Sequence, residues 1–272
     1  MTTAVPLVDA HDESLYGAKA VGLGAAARAG VAIPPGVALS GEVVDAIVAG
    51  DRAALDLVVD LVEVLPTPLA VRSSAVDEDG ADASFAGQHL TLLNVRSAQD
   101  LGEALAEVWW SANSDSAISY RQRVGLFTRP SIAVVVQSLL DPETAGVMFT
   151  QNPVTGAPER LVEASWGLGE VVVAGRVIPD HFRFEASGTV LDQVPGLKKV
   201  ALRILPDGGT EEYDVPAERI EAPCLDEAQL AELDALATSC EEIFGPARDI
   251  EWAFAGGELF LLQCRAITRA AD

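Results

Sequence analysis

The order in which helix-like and strand-like segments follow one another constrains the fold of this chain most. Apolar residues recur at helical spacing in five segments: Gly17–Ala29, Gly41–Ala49, Asp51–Leu65, Ala98–Trp110 and Asp226–Phe244. Short β-rich runs occur at Leu69–Arg72, Leu90–Val95, Ile132–Gln137, Gly146–Thr150, Arg160–Glu163, Asp249–Phe254 and Glu258–Gln263. No strict strand–helix–strand repeat connects these segments, so we expect an α+β fold and not a doubly wound sheet.

The composition is that of a folded protein with a full-sized core. The chain has 272 residues, of which 49% are hydrophobic and 22% charged, enough for one large domain or two lobes. No apolar run approaches the length of a membrane span, and residues 1–12 lack the pattern of a signal peptide. We therefore expect no membrane partner. Three cysteines without metal-ligand spacing predict buried thiols in a reducing compartment, so we expect a cytoplasmic location.

The formal net charge of −23 argues against a nucleic-acid partner, because such proteins present a basic surface. An enzyme that binds a metal–nucleotide complex can be acidic overall if a few cations line its cleft. Lysine is scarce here, and one of the three lysines, Lys19, stands in the glycine-rich segment Gly17–Gly24. Small residues let a backbone approach a phosphate, and a lysine can reach its oxygens. A solvated lysine and glycines that serve close helix packing are the alternative.

A second cation stands at the end of a predicted strand. Leu69–Ser74 delivers Arg72 and two serines to a polar loop that runs through Asp77–Gly80 to Ala83–Gln88. An arginine at a strand end can bind phosphate oxygens bidentately. Pairing of Arg72 with the acidic run that follows it is equally compatible with the sequence.

A predicted hairpin near the C-terminal end combines carboxylates, an amide and an arginine. Ala255-Gly256-Gly257 has the composition of a tight turn between its strands. Alternation places Asp249 and Glu251 on one face, and the hairpin can bring Glu251 close to Gln263. Two such oxygen ligands suit magnesium that also binds phosphate oxygens and water. A half-buried edge hairpin without a ligand is the alternative.

Taken together and in order, these motifs identify a family resemblance that covers nearly the whole chain. The segments are Gly17-Ala18-Lys19, Val71–Ser74, Ala83–Gln88, Val135–Gln137, Gly146–Thr150, Asn152-Pro153, Gly167–Glu170, Pro179-Asp180, Asp249–Trp252 and Gln263–Arg265. The chain resembles the nucleotide-binding domain of the phosphoenolpyruvate synthase, pyruvate phosphate dikinase and rifampin phosphotransferase group. The resemblance implies one ATP-grasp-like module with lobes of residues 1–136 and 137–272 and nucleotide between them.

The resemblance also implies a ligand set for ATP and Mg²⁺. Lys19 and Arg72 would contact phosphates, and the loop with Ser84, Gly87 and Gln88 would cover them. The segment with Gln137, Ser138 and Leu139 would hold adenine through its backbone, and Glu163 would contact the ribose or adenine side. Glu251 and Gln263 would bind magnesium, and Arg265 would contact the transferred group, so Lys19, Arg72 and Arg265 are the predicted catalytic cations. Phosphoryl transfer depends mainly on such positioning and charge neutralisation.

The chain departs from the family pattern in small and large ways. Ala266 stands where the family usually has proline and Ala18 where it usually has glycine, and neither change removes a side-chain ligand. The larger departure is that none of His11, His89 and His181 has the Gly-Gly-Thr-Ser-His-like context of the family's phospho-carrier histidine.

The missing histidine motif predicts a split enzyme. The chain looks like the ATP-binding subunit of phenylphosphate synthase or 4-methylbenzyl phosphate synthase, which serves a histidine-bearing carrier in trans. A fragment of a longer dikinase or antibiotic phosphotransferase, and an ATP-binding regulatory module without transfer, are the alternatives.

Overall fold

The computed structural model describes residues 4–75, 90–114 and 132–267. They form two compact units. The first comprises the described residues of Met1–Ala25, Pro34–Leu139 and Asp207–Gly209, and the second those of Ala26–Ile33, Leu140–Pro206 and Thr210–Asp272. Helices and antiparallel sheets occur in both, which confirms the predicted α+β class. The division into nucleotide-binding lobes stays a prediction.

A five-stranded antiparallel sheet with the strand order β1–β2–β5–β3–β4 forms the centre of the first unit. The strands are β1 (Ala4–Pro6), β2 (Gly36–Leu39), β3 (Leu69–Ala75), β4 (Thr91–Val95) and β5 (Ile132–Ser138). A short 3₁₀ helix, Leu7–Asp9, follows β1. Every residue of β5 is buried, which explains its continuous apolar sequence before Gln137.

Three helices cover one face of this sheet: α2 (Gly41–Val48), α3 (Arg52–Val62) and α4 (Ala98–Ala112). The core between them and the sheet includes Leu69 and Val71 of β3 and Val134 and Val136 of β5. Local sequence signals fix where two of the helices begin. The Asp51 side chain accepts hydrogen bonds from the first amides of α3, and Ser97 begins α4 with a capping box.

The opposite face of the same sheet carries Ala70, Arg72 and Ser74, because side chains alternate along β3. Helix α1 (Glu13–Arg28) reaches this face through its first turns. The first unit therefore has an apolar face covered by three helices and a second face that bears Arg72 and Ser74 of β3.

A six-stranded antiparallel sheet with the order β13–β12–β6–β7–β8–β9 forms the second unit. Its strands are β6 (Thr144–Phe149), β7 (Glu159–Trp166), β8 (Asp180–Glu185), β9 (Val190–Val194), β12 (Arg248–Ala255) and β13 (Glu258–Ala266). A separate hairpin pairs β10 (Val200–Ile204) with β11 (Thr210–Asp214). The helices are α5 (Glu170–Val173), a 3₁₀ turn at Ala217–Arg219 and α6 (Glu227–Phe244).

The two faces of the six-stranded sheet differ in burial. One face carries Met148, Val162, Phe182 and Ile250, all with 0% of their surface exposed, and helix α6 packs on β12 and β13. The other, which we call the open face, carries Val147, Glu163, His181 and Glu251, all half-buried. Among the described residues, no helix is long and apolar enough to cross a membrane.

All the helices and strands predicted above are present, with ends displaced by at most four residues. The Ala255-Gly256-Gly257 turn is confirmed, since β12 ends at Ala255 and both glycines have positive φ. Strands β1, β2 and β8 to β11 were not predicted from the sequence. Several of these are short or exposed, so the apolar runs that identify buried strands are absent from them.

Candidate functional site

Lys19 is a buried lysine. Only 7% of its surface is exposed, and its Nζ donates a hydrogen bond of 2.8 Å to the carbonyl oxygen of Ser73. The alternative of a solvated surface lysine is therefore wrong. The ammonium group lies at the end of β3, beside the residue that follows Arg72, so two of the three predicted catalytic cations belong to one region of the first unit.

Gly17 and Ser74 together shape the turn that carries Lys19. Gly17 interrupts α1 with φ of 75°, and a Cβ placed there would lie 2.0 Å from the carbonyl oxygen of Ser74. The Ser74 hydroxyl donates to the carbonyl oxygen of Tyr16 at 2.7 Å and accepts from the amide of Ala20 at 3.2 Å. The helix restarts against β3 only because residue 17 has no side chain.

Arg72 is half-buried in β3 and shares a face with Ser74. Its register partner in β5 is Val135. The acidic run considered as its alternative partner lies outside the described residues, as do Ser84, Gly87 and Gln88 of the predicted phosphate-covering loop.

The predicted adenine-binding segment, residues 137–139, lies at the end of β5. Gln137 is buried, and its Nε2 donates to the carbonyl oxygen of Pro34 at 3.0 Å. The amides of Ser138 and Leu139 donate to the carbonyl oxygens of Pro35 and Pro68. Because these two N–H groups are already bonded within the first unit, an adenine contact here would use backbone carbonyl oxygens, and it stays a prediction.

Glu251 and Gln263 are direct cross-strand partners in the second unit. The predicted pairing across the hairpin is therefore confirmed. The register of β12 and β13 shifts immediately after this pair, between Glu251 and Trp252, where an extra residue lies on β13. Gln263 is 7% exposed and Glu251 is half-buried, so both oxygen-bearing side chains are held on strands and not on a loop.

Asp249 and Arg265 form the next cross-strand pair on the same face of the hairpin. Arg265 Nε donates to Asp249 Oδ2 at 2.9 Å. Burial raises the pKa of Asp249 above its ordinary value; Arg265 opposes this rise, and the nearby charge of Glu251 adds to it. The three charged groups are therefore electrostatically linked, and Asp249, which the sequence analysis did not select as a ligand, belongs to the same cluster.

Glu163 lies on the same row of the open face. Reading across the sheet, the directly paired residues are Gln263, Glu251, Val147, Glu163 and His181. Adjacent strands are separated by about 4.8 Å, which places Glu163 about 10 Å from Glu251. Glu163 and the predicted metal ligands come from separate sequence motifs, and the pairing of β6 with β7 and β12 places them on one row.

His181 is the residue of this row that the sequence analysis missed. The alternation His-Phe-Arg-Phe at residues 181–184 is a strand signal, with Phe182 and Phe184 fully buried and His181 and Arg183 on the open face. That signal could have identified β8, but its pairing with β7 depends on long-range contacts.

The donor set of the open face suits a magnesium ion that shares its coordination with phosphate oxygens and water. Glu251 and Gln263 supply oxygen ligands, and Asp249 adds a nearby carboxylate. Within residues 4–75, 90–114 and 132–267, no group of three or more His, Cys, Asp or Glu side chains could hold a metal by itself. A small protein ligand set of this kind fits magnesium better than zinc.

The row of carboxylate and amide side chains in the second unit supplies the kind of oxygen ligands that a magnesium ion requires. Residues 52–272 match the family model described as pyruvate phosphate dikinase, AMP/ATP-binding domain. The chain belongs to this family, and the resemblance inferred from its motifs is confirmed.

Curated relatives support the same assignment. The chain is 39% identical over 206 residues to a probable phosphoenolpyruvate synthase of Methanothermobacter thermautotrophicus, which covers 75% of this chain and 30% of that protein. It is 40% identical over 205 residues to the prodigiosin synthesizing transferase PigC of Serratia marcescens, covering 75% and 23%. It is 38% identical over 204 residues to a rifampicin phosphotransferase of Streptomyces sviceus, covering 74% and 23%. The chain thus spans less than a third of the length of these relatives.

Among solved structures, the chain is similar to the VanG D-Ala:D-Ser ligase of Enterococcus faecalis. That similarity has 13% identity and a TM-score of 0.41, over 92% of this chain and 52% of the other. An L-amino acid ligase of Bacillus licheniformis gives 11% identity and a TM-score of 0.41, over 94% and 43%. Both similarities are too low to assign function.

Proposed function

We propose that this chain binds Mg-ATP and passes a phosphoryl group from it to a histidine carried on a partner protein. The observation that carries the proposal is the row Gln263, Glu251, Val147, Glu163 on one sheet face, in a chain that belongs to an AMP/ATP-binding domain family. The row supplies oxygen ligands at one end and a carboxylate two strands away, which suits a nucleotide extended along it.

In this proposal Glu251 and Gln263 hold magnesium, and Lys19, Arg72 and Arg265 neutralise phosphate charge. Magnesium, when bound, would neutralise and orient the phosphate oxygens. Lys19 is held in place by Ser73, and Arg265 by Asp249, so both cations are fixed before nucleotide arrives. Preorganised charge of this kind is the main protein contribution to phosphoryl transfer.

The acceptor would be a histidine in trans. His11 is exposed and His181 lies on the open face beside Glu163, and neither has the sequence context of a carrier histidine. In the proposed reaction, ATP and water yield AMP, phosphate and a phosphohistidine on the partner. That group then passes to a small acceptor such as a phenol or benzyl alcohol.

A second candidate function, in which the carrier histidine lies on the same polypeptide, is favoured by the lengths of the relatives. The chain spans 23–30% of the relatives described above, so the native protein could be a longer phosphoenolpyruvate synthase or rifampicin phosphotransferase with the histidine on the same polypeptide. The ATP site and its chemistry are the same in both candidates, and the mass of the native protein distinguishes them.

Isothermal titration calorimetry with ATP, with and without Mg²⁺, tests the shared core of the proposal. We expect binding that magnesium strengthens, because the carboxylates of the open face repel an uncomplexed triphosphate. Absence of ATP binding in both conditions would overturn the proposed function.

A further inference from the structure

Two cysteines of the second unit, Cys240 and Cys264, bring their thiols into contact between a helix and a strand. Cys240 belongs to the buried residues of α6, and none of its surface is exposed. Cys264 is the register partner of Ile250, so its side chain lies on the face of the sheet that α6 covers. The two thiols share a hydrogen bond. The chain therefore holds a dithiol whose halves belong to two different elements.

The two thiols differ in exposure in the way that a stepwise oxidation requires. Cys264 is half-buried, whereas Cys240 is fully enclosed. A small oxidant reaches Cys264 first, and a sulfenic acid formed there condenses with a neighbouring thiol. Because Cys240 is already in contact with Cys264, its effective concentration at that sulfur is high. Cys224, in contrast, has Asp180 as the hydrogen-bond partner of its thiol.

Cys264 stands between two residues of the candidate site. Gln263 and Arg265 precede and follow it on β13, and their register partners Glu251 and Asp249 lie on the open face. A disulfide has an S–S length of about 2.05 Å, which is much shorter than the contact between two unbonded thiols. Cross-linking therefore draws this part of β13 toward α6. A displacement of about 1 Å can cost about 100-fold in an active site.

We infer that Cys240 and Cys264 form an oxidation site, at which a peroxide converts the thiol pair to a disulfide and thereby weakens nucleotide binding. In the first step Cys264 Sγ attacks the O–O bond of hydrogen peroxide, which gives a sulfenic acid and one molecule of water. In the second step Cys240 Sγ attacks that sulfur, so the S–S bond forms, the S–O bond breaks and a second water leaves. The two thiols lose two electrons and two protons, and the peroxide is reduced to two molecules of water.

The oxidation is slow, because burial and the hydrogen bond raise the pKa of Cys264 and the thiolate is the reactive form. The site therefore responds to sustained exposure to peroxide and not to a brief pulse. The cross-link does not depend on the proposed function, whereas its effect on nucleotide binding rests on it.

The first measurement detects the cross-link. The native chain is incubated with hydrogen peroxide, treated with catalase, unfolded in guanidinium chloride and titrated with Ellman's reagent. We expect the titre to fall from three thiols to one, and peptide mapping to join Cys240 to Cys264. Cys224→Ala, which leaves the pair intact, should still form the cross-link, whereas Cys240→Ala should not. Cys264→Ser changes the half-buried partner, should also lack the cross-link and guards against a folding defect in Cys240→Ala.

The second measurement compares the affinity for Mg-ATP before oxidation, after oxidation and after reduction by dithiothreitol, using titration calorimetry. We expect the disulfide to weaken binding by about tenfold or more, because it displaces residues on both sides of Cys264. Dithiothreitol should restore the affinity of the parent chain, and Cys240→Ala should keep its affinity in peroxide.

Four outcomes would overturn the inference. The parent chain could form no disulfide, or one that includes Cys224; the cross-linked chain could bind Mg-ATP as tightly as the reduced chain; or peroxide could weaken binding equally in Cys240→Ala, which would assign the effect to damage elsewhere. If the reduced chain does not bind ATP at all, the proposed function fails together with the effect on binding, and the first measurement alone decides whether the oxidation site exists.

Discussion

Glu251 stands directly opposite Gln263 in the β12–β13 hairpin, one residue before the register of the two strands shifts. The extra residue lies on β13, and bulges of this kind bend a strand and re-aim neighbouring side chains. Because both residues lie on paired strands, a metal bound by them would have a fixed position relative to Glu163 on the same row.

Replacing Glu251 by alanine should abolish most phosphoryl transfer without unfolding the chain. Loss of one preorganised electrostatic contact costs about 100-fold or more in rate, whereas a half-buried carboxylate on the open face contributes little to the core. Transfer rates and thermal melting of Glu251→Ala check this. Glu258→Ala, which removes an exposed carboxylate from the same hairpin, is the matched control and should behave like the parent. Transfer by Glu251→Ala at the parent rate would exclude Glu251 as a ligand.

Gly17→Ala should lower stability and ATP affinity together. Its φ of 75° disfavours any side chain, and the new Cβ would meet the carbonyl oxygen of Ser74 at 2.0 Å. We expect a loss of about 1–3 kcal/mol in the free energy of unfolding and a displaced Lys19. Gly22→Ala in the same helix is the control, since its Cβ would have no heavy atom within 4 Å. That variant should be neutral or more stable by up to about 1 kcal/mol. Equal stability of the two variants in urea would contradict the role given to Gly17.

The hairpin could be predicted from sequence because its determinants are local. Alternation along Asp249–Phe254 and the glycine turn fix which residues face each other, and the structure agrees. Glu163 and His181 could not be placed on the same row because that depends on the pairing of β7 with β6 and with β8.

The burial of Lys19 in the first unit could not be predicted from the sequence either. Its burial depends on a contact with Ser73, 54 residues away in sequence, so no local pattern distinguished it from a surface lysine.

The buried ion pair Asp180–Lys198 should matter far more to stability than an exposed pair of similar length. The side chains are 1% and 0% exposed, so Lys198→Met leaves an uncompensated buried carboxylate. Breaking such a pair costs about 3–5 kcal/mol. Arg176→Ala, which breaks the Arg176–Glu212 pair with 49% and 40% exposure, should cost no more than about 1 kcal/mol. Denaturant unfolding measures both, and similar losses would refute the stabilising role of this buried pair.

The thiols should be unreactive while the chain is folded. Burial raises the pKa of Cys224, and a hydrogen bond with Cys240 together with burial raises the pKa of Cys264. The thiolate is the reactive form, so Ellman's reagent should modify the native chain slowly and titrate all three cysteines once the chain is unfolded in guanidinium chloride. Rapid modification of any thiol in the native chain would contradict this expectation.

The isolated chain should consume ATP very slowly, because phosphoryl transfer needs an acceptor held in line and the sequence lacks the carrier-histidine motif. Adding the histidine-bearing partner should produce AMP and an acid-labile phosphohistidine on the partner. We would incubate both proteins with ATP labelled in its β-phosphate, separate them and locate the label, with Glu251→Ala as the inactive control. A stable label on His11, His89 or His181 that can then be transferred to an acceptor would make this chain its own carrier and refute transfer in trans.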